Sequence, residues 1–217
     1  MILPPLSRLP RADRPALAYR AMAGTGPTLV FLPGYASDMS GSKATALAQW
    51  AATEGRACLL FDYAGCGESE GAFADQTLED WRDDALAVIA AVVDGPVLLV
   101  GSSMGGWLML HVALALGGRV AGLVGIAAAP DFTQWGYSDA EKAELIAAGR
   151  LLQPNPYGPD PTLTTLALWQ SGERLRLLDA PIAIDYPVRL LHGQADQDVP
   201  WDIALRLAGA LGSADVR

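Results

Sequence analysis

Short, continuous apolar runs alternate along this chain with longer segments of mixed character. Thr28-Leu29-Val30-Phe31-Leu32-Pro33 is the strongest run, and Arg56–Tyr63, Val97–Ser102, Val120–Ala128 and Val188–Gly193 repeat it. Ala16–Met22 is a weaker first strand. Between them, Thr77–Val93 places Leu78, Trp81, Ala85, Val88, Ile89 and Val92 three and four apart, the period of a helix with one apolar face. Thr77 with Asp80 supplies an N-cap and an early acidic residue. Ser40–Thr53 carries Ala44, Leu47, Ala48 and Ala51 on one face and is also predicted helical, as are Gly105–Leu116 and Trp201–Leu211. Strands that are apolar throughout, separated by helices, predict an α/β fold with a mostly parallel sheet covered on both faces. Ligands in such sheets bind beyond the carboxyl ends of the strands. The loops there are Pro33–Met39, Gly65–Ser69, Gly101–Gly105, Ala129–Phe132 and Gly193–Pro200.

Residues 131–187 interrupt the alternation. They contain Pro154, Pro156, Pro159, Pro161, Pro181 and Pro187, with short helical pieces expected at Ser138–Leu152 and Thr162–Leu178. A connection this long is unusual unless it is functional. The expectation is one domain over 1–217 with a lid inserted at 131–187. Trp135, Tyr137, Tyr157 and Trp169 supply large apolar surface, and Trp135, Tyr137 and Trp169 are the candidate substrate-binding residues. The alternative is an ordinary surface helical pair whose aromatic residues only pack it down.

Bulk properties narrow the function. The 217 residues suit one α/β domain, and 51% hydrophobic with 18% charged residues allows a large core. A net charge of −9, from 15 basic and 24 acidic residues, comes without a basic stripe, which argues against nucleic acid as a partner. No apolar run reaches the ~18–20 residues needed to span a bilayer. Met1–Leu6 lacks a basic segment followed by a long apolar one, so no signal peptide is expected. Cys58 and Cys66 have no spacing that suggests a metal site or a disulfide framework, and no cofactor is expected. A reducing cytoplasm is the expected compartment. Oligomeric state is not legible.

The candidate chemistry centres on Gly101-Ser102-Ser103-Met104-Gly105, which fits G-x-S-x-G between an apolar strand and a helix. That arrangement is a nucleophile elbow. The turn strains the serine backbone, and a Cβ on either flanking glycine would crowd the strand or the helix. A glycine-rich turn without chemistry is the bland alternative. A serine hydroxyl needs a base within hydrogen-bond reach, a group to orient that base, and amides aimed at the developing oxyanion. Met104 supplies one amide by its position after the nucleophile, and Tyr35 in Pro33-Gly34-Tyr35-Ala36 is the candidate second. Asp196, at the end of the late apolar strand and after the serine in chain order, suits the acid. Asp198 could substitute, and a helix cap before Trp201 is the structural alternative for Asp196.

The base is the exception. The order Ser…Asp…His requires a histidine after Asp196, and the only two are His111 and His192. His111 lies eight residues past Ser103, roughly 12 Å along a helix axis, and is expected to be a packed helix residue. His192 is expected to be structural, a polar bond fixing the Asp196 loop, with substitute base as its alternative. Ser213–Arg217 reads as a final strand just beginning, so the catalytic histidine is expected after Arg217, absent from these residues.

With these residues in place, the chain resembles the α/β-hydrolases over nearly its whole length. It is similar to the branch of palmitoyl-protein thioesterase and acyl-glucuronide deacylase and its bacterial relatives. Leu32–Tyr35 with Ser37–Ala44, Phe61–Ser69, Gly101–Gly106, Ala180–Ile182, Arg189–Gly193 and Val199–Trp201 carry the likeness. The resemblance implies Ser103 as nucleophile, Asp196 as acid and the Tyr35 and Met104 amides as oxyanion donors. It places the histidine after a last strand lying beside Val188–Gly193, which without that strand would be an exposed edge prone to association. The expected function is hydrolysis of carboxylic esters or thioesters of apolar acyl groups through an acyl-enzyme, slow in this chain without its base. The alternatives are a non-catalytic binding protein with a hydrolase pocket, or another elbow hydrolase such as a carbon–carbon bond hydrolase.

Overall fold

The computed structural model describes residues 3–155 and 158–217; Pro156 and Tyr157, the latter among the expected lid aromatics, lie outside the described residues, as do Met1 and Ile2. Among the described residues the central sheet has seven strands: β1 (Ser7–Leu9), β2 (Leu17–Met22), β3 (Thr25–Leu32), β4 (Arg56–Phe61), β5 (Val97–Ser102), β6 (Val120–Ile126) and β9 (Val188–Leu191), in the order β1-β2-β4-β3-β5-β6-β9. β1 and β2 run antiparallel at one edge, and the strands from β4 to β9 are parallel. The mostly parallel sheet read from the sequence is present.

The period of two along each strand explains the continuous apolar runs. Val30, Leu32, Leu59, Phe61 and Leu99 join one buried cluster with Trp81, Val88 and Ile89 of α2 (Leu78–Val92) and Trp107 and Leu110 of α3 (Met104–Leu116). Leu29, Phe31, Cys58, Leu60 and Val100 join a second cluster with Ala44, Ala48 and Ala51 of α1 (Ser42–Thr53). Both faces are therefore covered. The α2 N-terminus forms the full capping box: Thr77 Oγ1 accepts from the Asp80 amide, and the Asp80 carboxylate accepts from the Thr77 amide.

β1 was not legible, because three residues, two half-buried and Arg8 exposed, carry too little period. The insertion needs correction. Its elements are α4 (Phe132–Trp135), α5 (Asp139–Ala148), β7 (Arg150–Gln153), β8 (Thr162–Thr165) and α6 (Leu166–Arg174). The helical piece expected over Ser138–Leu152 stops at Gly149, whose φ of 72° ends α5 in the left-handed region. The piece expected from Thr162 begins as a strand, with Arg150 opposite Thr165 and Gln153 opposite Thr162 in an antiparallel pair. The α7 helix covers Asp202–Ala210. Terminal residues add to the sheet edge: the Val188 amide donates to Asp215 O at 2.9 Å and the Leu190 amide to Arg217 O at 2.7 Å. The outer side of β9 is thus partly paired, while Leu191 is 57% exposed. No helix among the described residues is long and apolar enough to cross a membrane.

Parallel registers align the strand ends. Leu32 lies opposite Gly101, Ser102 opposite Ile126, and Ile126 opposite Leu191. The loops leaving β3, β5, β6 and β9 therefore open on one side of the sheet.

Candidate active site

Ser103 sits between β5 and α3 with φ 53° and ψ −121°. A non-glycine residue held in that region stores about 1–3 kcal/mol of strain. Three backbone bonds hold it there. Its amide donates to Ile126 O at 3.0 Å, and its carbonyl accepts from the Gly106 amide at 2.9 Å and the Ala129 amide at 3.0 Å. A Cβ on Gly101 would lie 2.4 Å from Gly105 O, and one on Gly105 would lie 2.1 Å from Leu32 O. The steric case for the flanking glycines is met on both sides. Ser103 is half-buried between buried Ser102 and Met104, so its side chain reaches a cavity rather than the core.

The loop after β3 runs alongside. A Cβ on Gly34 would stand 3.4 Å from Ser103 Cβ, which is the close backbone approach expected of that glycine. Among the described residues, no backbone carbonyl accepts from the Tyr35 amide. Met104 is the first residue of α3, so its amide has no partner within the helix. The loop is tied down at its far end, where the Met39 amide donates to Asp62 Oδ1 at 2.7 Å. The other oxygen of Asp62 accepts from the Glu68 amide at 2.9 Å. Burial pushes the Asp62 carboxyl above its ordinary value, against the pull of those two amides. Asp62 therefore joins the loop beside Ser103 to the glycine turn after β4.

Asp196 stands across the cavity in the loop after β9. Its Oδ1 accepts from the Asp198 and Val199 amides, both at 3.0 Å, and the side chain is 24% exposed. These bonds hold the loop without occupying Oδ2. Asp198 lines the same cavity. His192 Nε2 bonds Val199 O at 2.9 Å, the polar bond expected to fix this loop, and lies 3.9 Å from Asp196 Oδ2. A carbonyl accepts only, so Nε2 carries the proton; Nδ1 is buried with no partner among the described residues. His111 is packed in α3, its Nε2 bonding Leu175 O at 2.8 Å, and burial lowers its pKa. Neither histidine is hydrogen-bonded to Ser103.

The cavity has a volume of about 930 Å³, and Ser103, Tyr35, Met104 and Asp196 all line it. That size suits a small-molecule site. Trp135 and Tyr137 line it too, placed from the insertion: Trp135 Nε1 donates to Pro130 O at 2.8 Å, and Tyr137 Oη bonds Thr164 Oγ1 at 3.0 Å. Trp169 does not. Its Nε1 donates to Thr133 O at 3.0 Å, and its ring packs behind the wall with Tyr137, Leu145 and Leu151. Trp169 thus stands outside the described lining of this cavity. Lys43, at the start of α1, is the only lysine or arginine among the described lining residues. Burial holds the Cys58 thiol up at about 11 and the Cys66 thiol at about 12, so neither supplies a thiolate.

Sequence reasoning also missed Asp131. Fully buried and left-handed at φ 58°, it accepts from the Leu177 and Leu178 amides, both at 2.8 Å. It clamps the start of the insertion to its end. Nothing local distinguishes it, because its partners lie 46 and 47 residues away.

A strained serine elbow at the carboxyl edge of a mostly parallel sheet, facing a cavity beneath an insertion, defines a hydrolase-type α/β scaffold. The chain belongs to the alpha/beta hydrolase family, whose model it matches over residues 29–216. It is 40% identical over 215 residues to the human mitochondrial palmitoyl-protein thioesterase ABHD10, covering 97% of this chain and 70% of that protein. The mouse alpha/beta hydrolase domain-containing protein 10 superposes with a TM-score of 0.91 at 39% identity, covering 98% of this chain and 87% of the other. A putative hydrolase from Agrobacterium vitis S4 superposes at 0.90 with 37% identity, covering 98% and 88%.

Proposed function

We propose that this chain is a serine hydrolase of carboxylic esters or thioesters with an apolar acyl group. The observation that carries the reading is the shared cavity: Ser103, with its left-handed backbone, lines the same space as Asp196 and Tyr35, whose amide meets no backbone carbonyl among the described residues. The relatives named as palmitoyl-protein thioesterases support the same reaction class. The insertion at 131–187 acts as a lid, with Trp135 and Tyr137 against the acyl group.

In the proposed reaction, Ser103 Oγ attacks the carbonyl carbon and gives up its proton to a base. The carbonyl electron pair moves onto oxygen, which the Tyr35 and Met104 amides receive. Collapse expels the alkoxide or thiolate, which takes the proton, and leaves the acyl group on Ser103. Water then repeats the attack and releases the acid. Asp196 orients the base through Oδ2. Losing one oxyanion donor typically costs about 2.7–4 kcal/mol of transition-state stabilisation, so both amides matter.

Because neither His111 nor His192 bonds Ser103, slow turnover by the 217-residue chain is part of the proposal. The same observation favours one second reading, a binding protein that keeps a hydrolase pocket. Hydrolysis of p-nitrophenyl esters tests the two. Measurable turnover that Ser103→Ala abolishes supports the hydrolase; turnover untouched by that change refutes the serine assignment.

A further inference from the structure

Tyr35 is bonded to the insertion as well as to the core. Its hydroxyl donates to Leu163 O, in β8, at 2.5 Å across 128 positions of sequence. Its ring is wedged edge-on against Phe73 and Trp81, with centroids 5.4 and 5.9 Å away, and tilted against Phe132 at 5.9 Å. Burial pushes the phenol well above its ordinary value, so the hydroxyl stays a donor throughout the physiological range. The next residue of β8, Thr164, is fully buried, and its hydroxyl bonds Tyr137 Oη. One short strand of the insertion therefore grips the cavity through two tyrosine hydroxyls, one from the loop after β3 and one from the insertion itself.

The backbone of that loop has few other holds near Tyr35. A turn bond runs from the Ser37 amide to Gly34 O at 3.2 Å, and the Asp62 bond acts four residues further on. Ala36 takes φ 51°, an unfavourable conformation that needs external support. An amide and the side chain on the same Cα turn together, so fixing the Tyr35 ring and hydroxyl fixes where its N–H points. Misplacement by 1 Å in such a site can cost roughly a hundredfold in rate.

We infer that Tyr35 is a positioning residue: through its hydroxyl bond to Leu163 O, the β7–β8 hairpin of the insertion aims the Tyr35 amide at the oxyanion. The oxyanion site is complete only when the hairpin is docked, and ligands that displace the hairpin change catalytic rate as well as affinity. This inference rests on the serine-hydrolase reading above.

The test uses Tyr35→Phe, which keeps the ring packing and deletes only the hydroxyl. The ligand is an alkylboronic acid. Boron accepts a lone pair from Ser103 Oγ, the hydroxyl proton passes to solvent, and the tetrahedral anion places an oxygen where the oxyanion forms. The comparison ligand is the unreactive fatty amide of the same chain length. Tyr35→Phe should weaken boronate binding about tenfold, the equivalent of one hydrogen bond, and leave amide binding nearly unchanged. Thr164→Val removes the buried β8 hydroxyl that bonds Tyr137 Oη and also faces the Tyr35 hydroxyl, leaves the Tyr35 side chain itself intact, and should shift boronate affinity in the same direction; it carries the test if melting shows Tyr35→Phe to be unfolded. Unchanged boronate affinity in the folded variants, or equal losses for boronate and amide, overturns the inference. Wild-type boronate binding by Ser103→Ala would instead remove the serine assignment and this inference with it.

Discussion

Gly105→Ala tests whether the elbow geometry is set by backbone contact. The added Cβ would stand 2.1 Å from Leu32 O and 2.3 Å from Pro33 O, both main-chain atoms that no side-chain rotation can move aside. Ordinary contact begins near 3.4 Å, so α3 must retreat from the end of β3 by about 1 Å. Overpacking of this kind typically destabilises by about 1–3 kcal/mol. For a domain of this size that is a fall in melting temperature of roughly 2–12 °C. The movement also separates Ser103 from the loop carrying Tyr35, because Leu32 and Pro33 lead directly into Gly34. Activity should therefore fall by about a hundredfold, more than stability alone explains. Gly95→Ala is the control: a Cβ there meets nothing within 4 Å, and its φ is unexceptional, so melting should be unchanged or slightly raised. Differential scanning fluorimetry and p-nitrophenyl ester turnover read both. Wild-type melting and turnover for Gly105→Ala would refute the packing argument.

Other outcomes follow from single contacts. Asp131→Asn leaves one of the Leu177 and Leu178 amides facing an NH₂ group, and should destabilise by about 1–3 kcal/mol while speeding proteolysis within 138–178. The same variant should flatten part of the acid-side pH dependence of stability. Burial raises the Asp131 carboxyl, so the folded state binds that proton more tightly than the unfolded chain; the contribution is greatest below the unfolded value and lost as pH rises through the folded one. Thr77→Ala removes the α2 cap and should lower stability by about 1 kcal/mol in thermal melts, without changing KM. Free imidazole should accelerate ester cleavage by the 217-residue chain, restoring part of the ~10²–10⁴-fold that a positioned base supplies. Fast turnover indifferent to imidazole would mean an internal base, and His192, whose Nδ1 has no partner among the described residues, would be the candidate.

What the sequence revealed was whatever is written in neighbouring residues. The glycines around Ser103 are needed by contacts within a single strand–turn–helix, so the pattern and the geometry are one local fact. The continuous apolar runs follow from helices on both faces, which is why β3, β4 and β5 were legible and the half-exposed β1 was not. The insertion misled because its strands pair only with each other: Thr162–Thr165 looks like the start of α6 until Arg150–Gln153 lies beside it. Trp169 shows the same limit for a single side chain. Its size suggested a pocket wall, but the facing of α6 turns it toward Thr133 and Tyr137. Asp131 accepts amides from a distant segment, as Asp62 does from Met39, and no local spacing announces either contact.

The central claim is a nucleophilic serine displayed to the cavity. Intact-mass spectrometry after treatment with an alkyl fluorophosphonate tests it most directly. The account predicts one covalent adduct, mapped by peptide digestion to Ser103 and absent from Ser103→Ala. An adduct of equal extent on Ser103→Ala, or none on the folded wild-type chain, would contradict it.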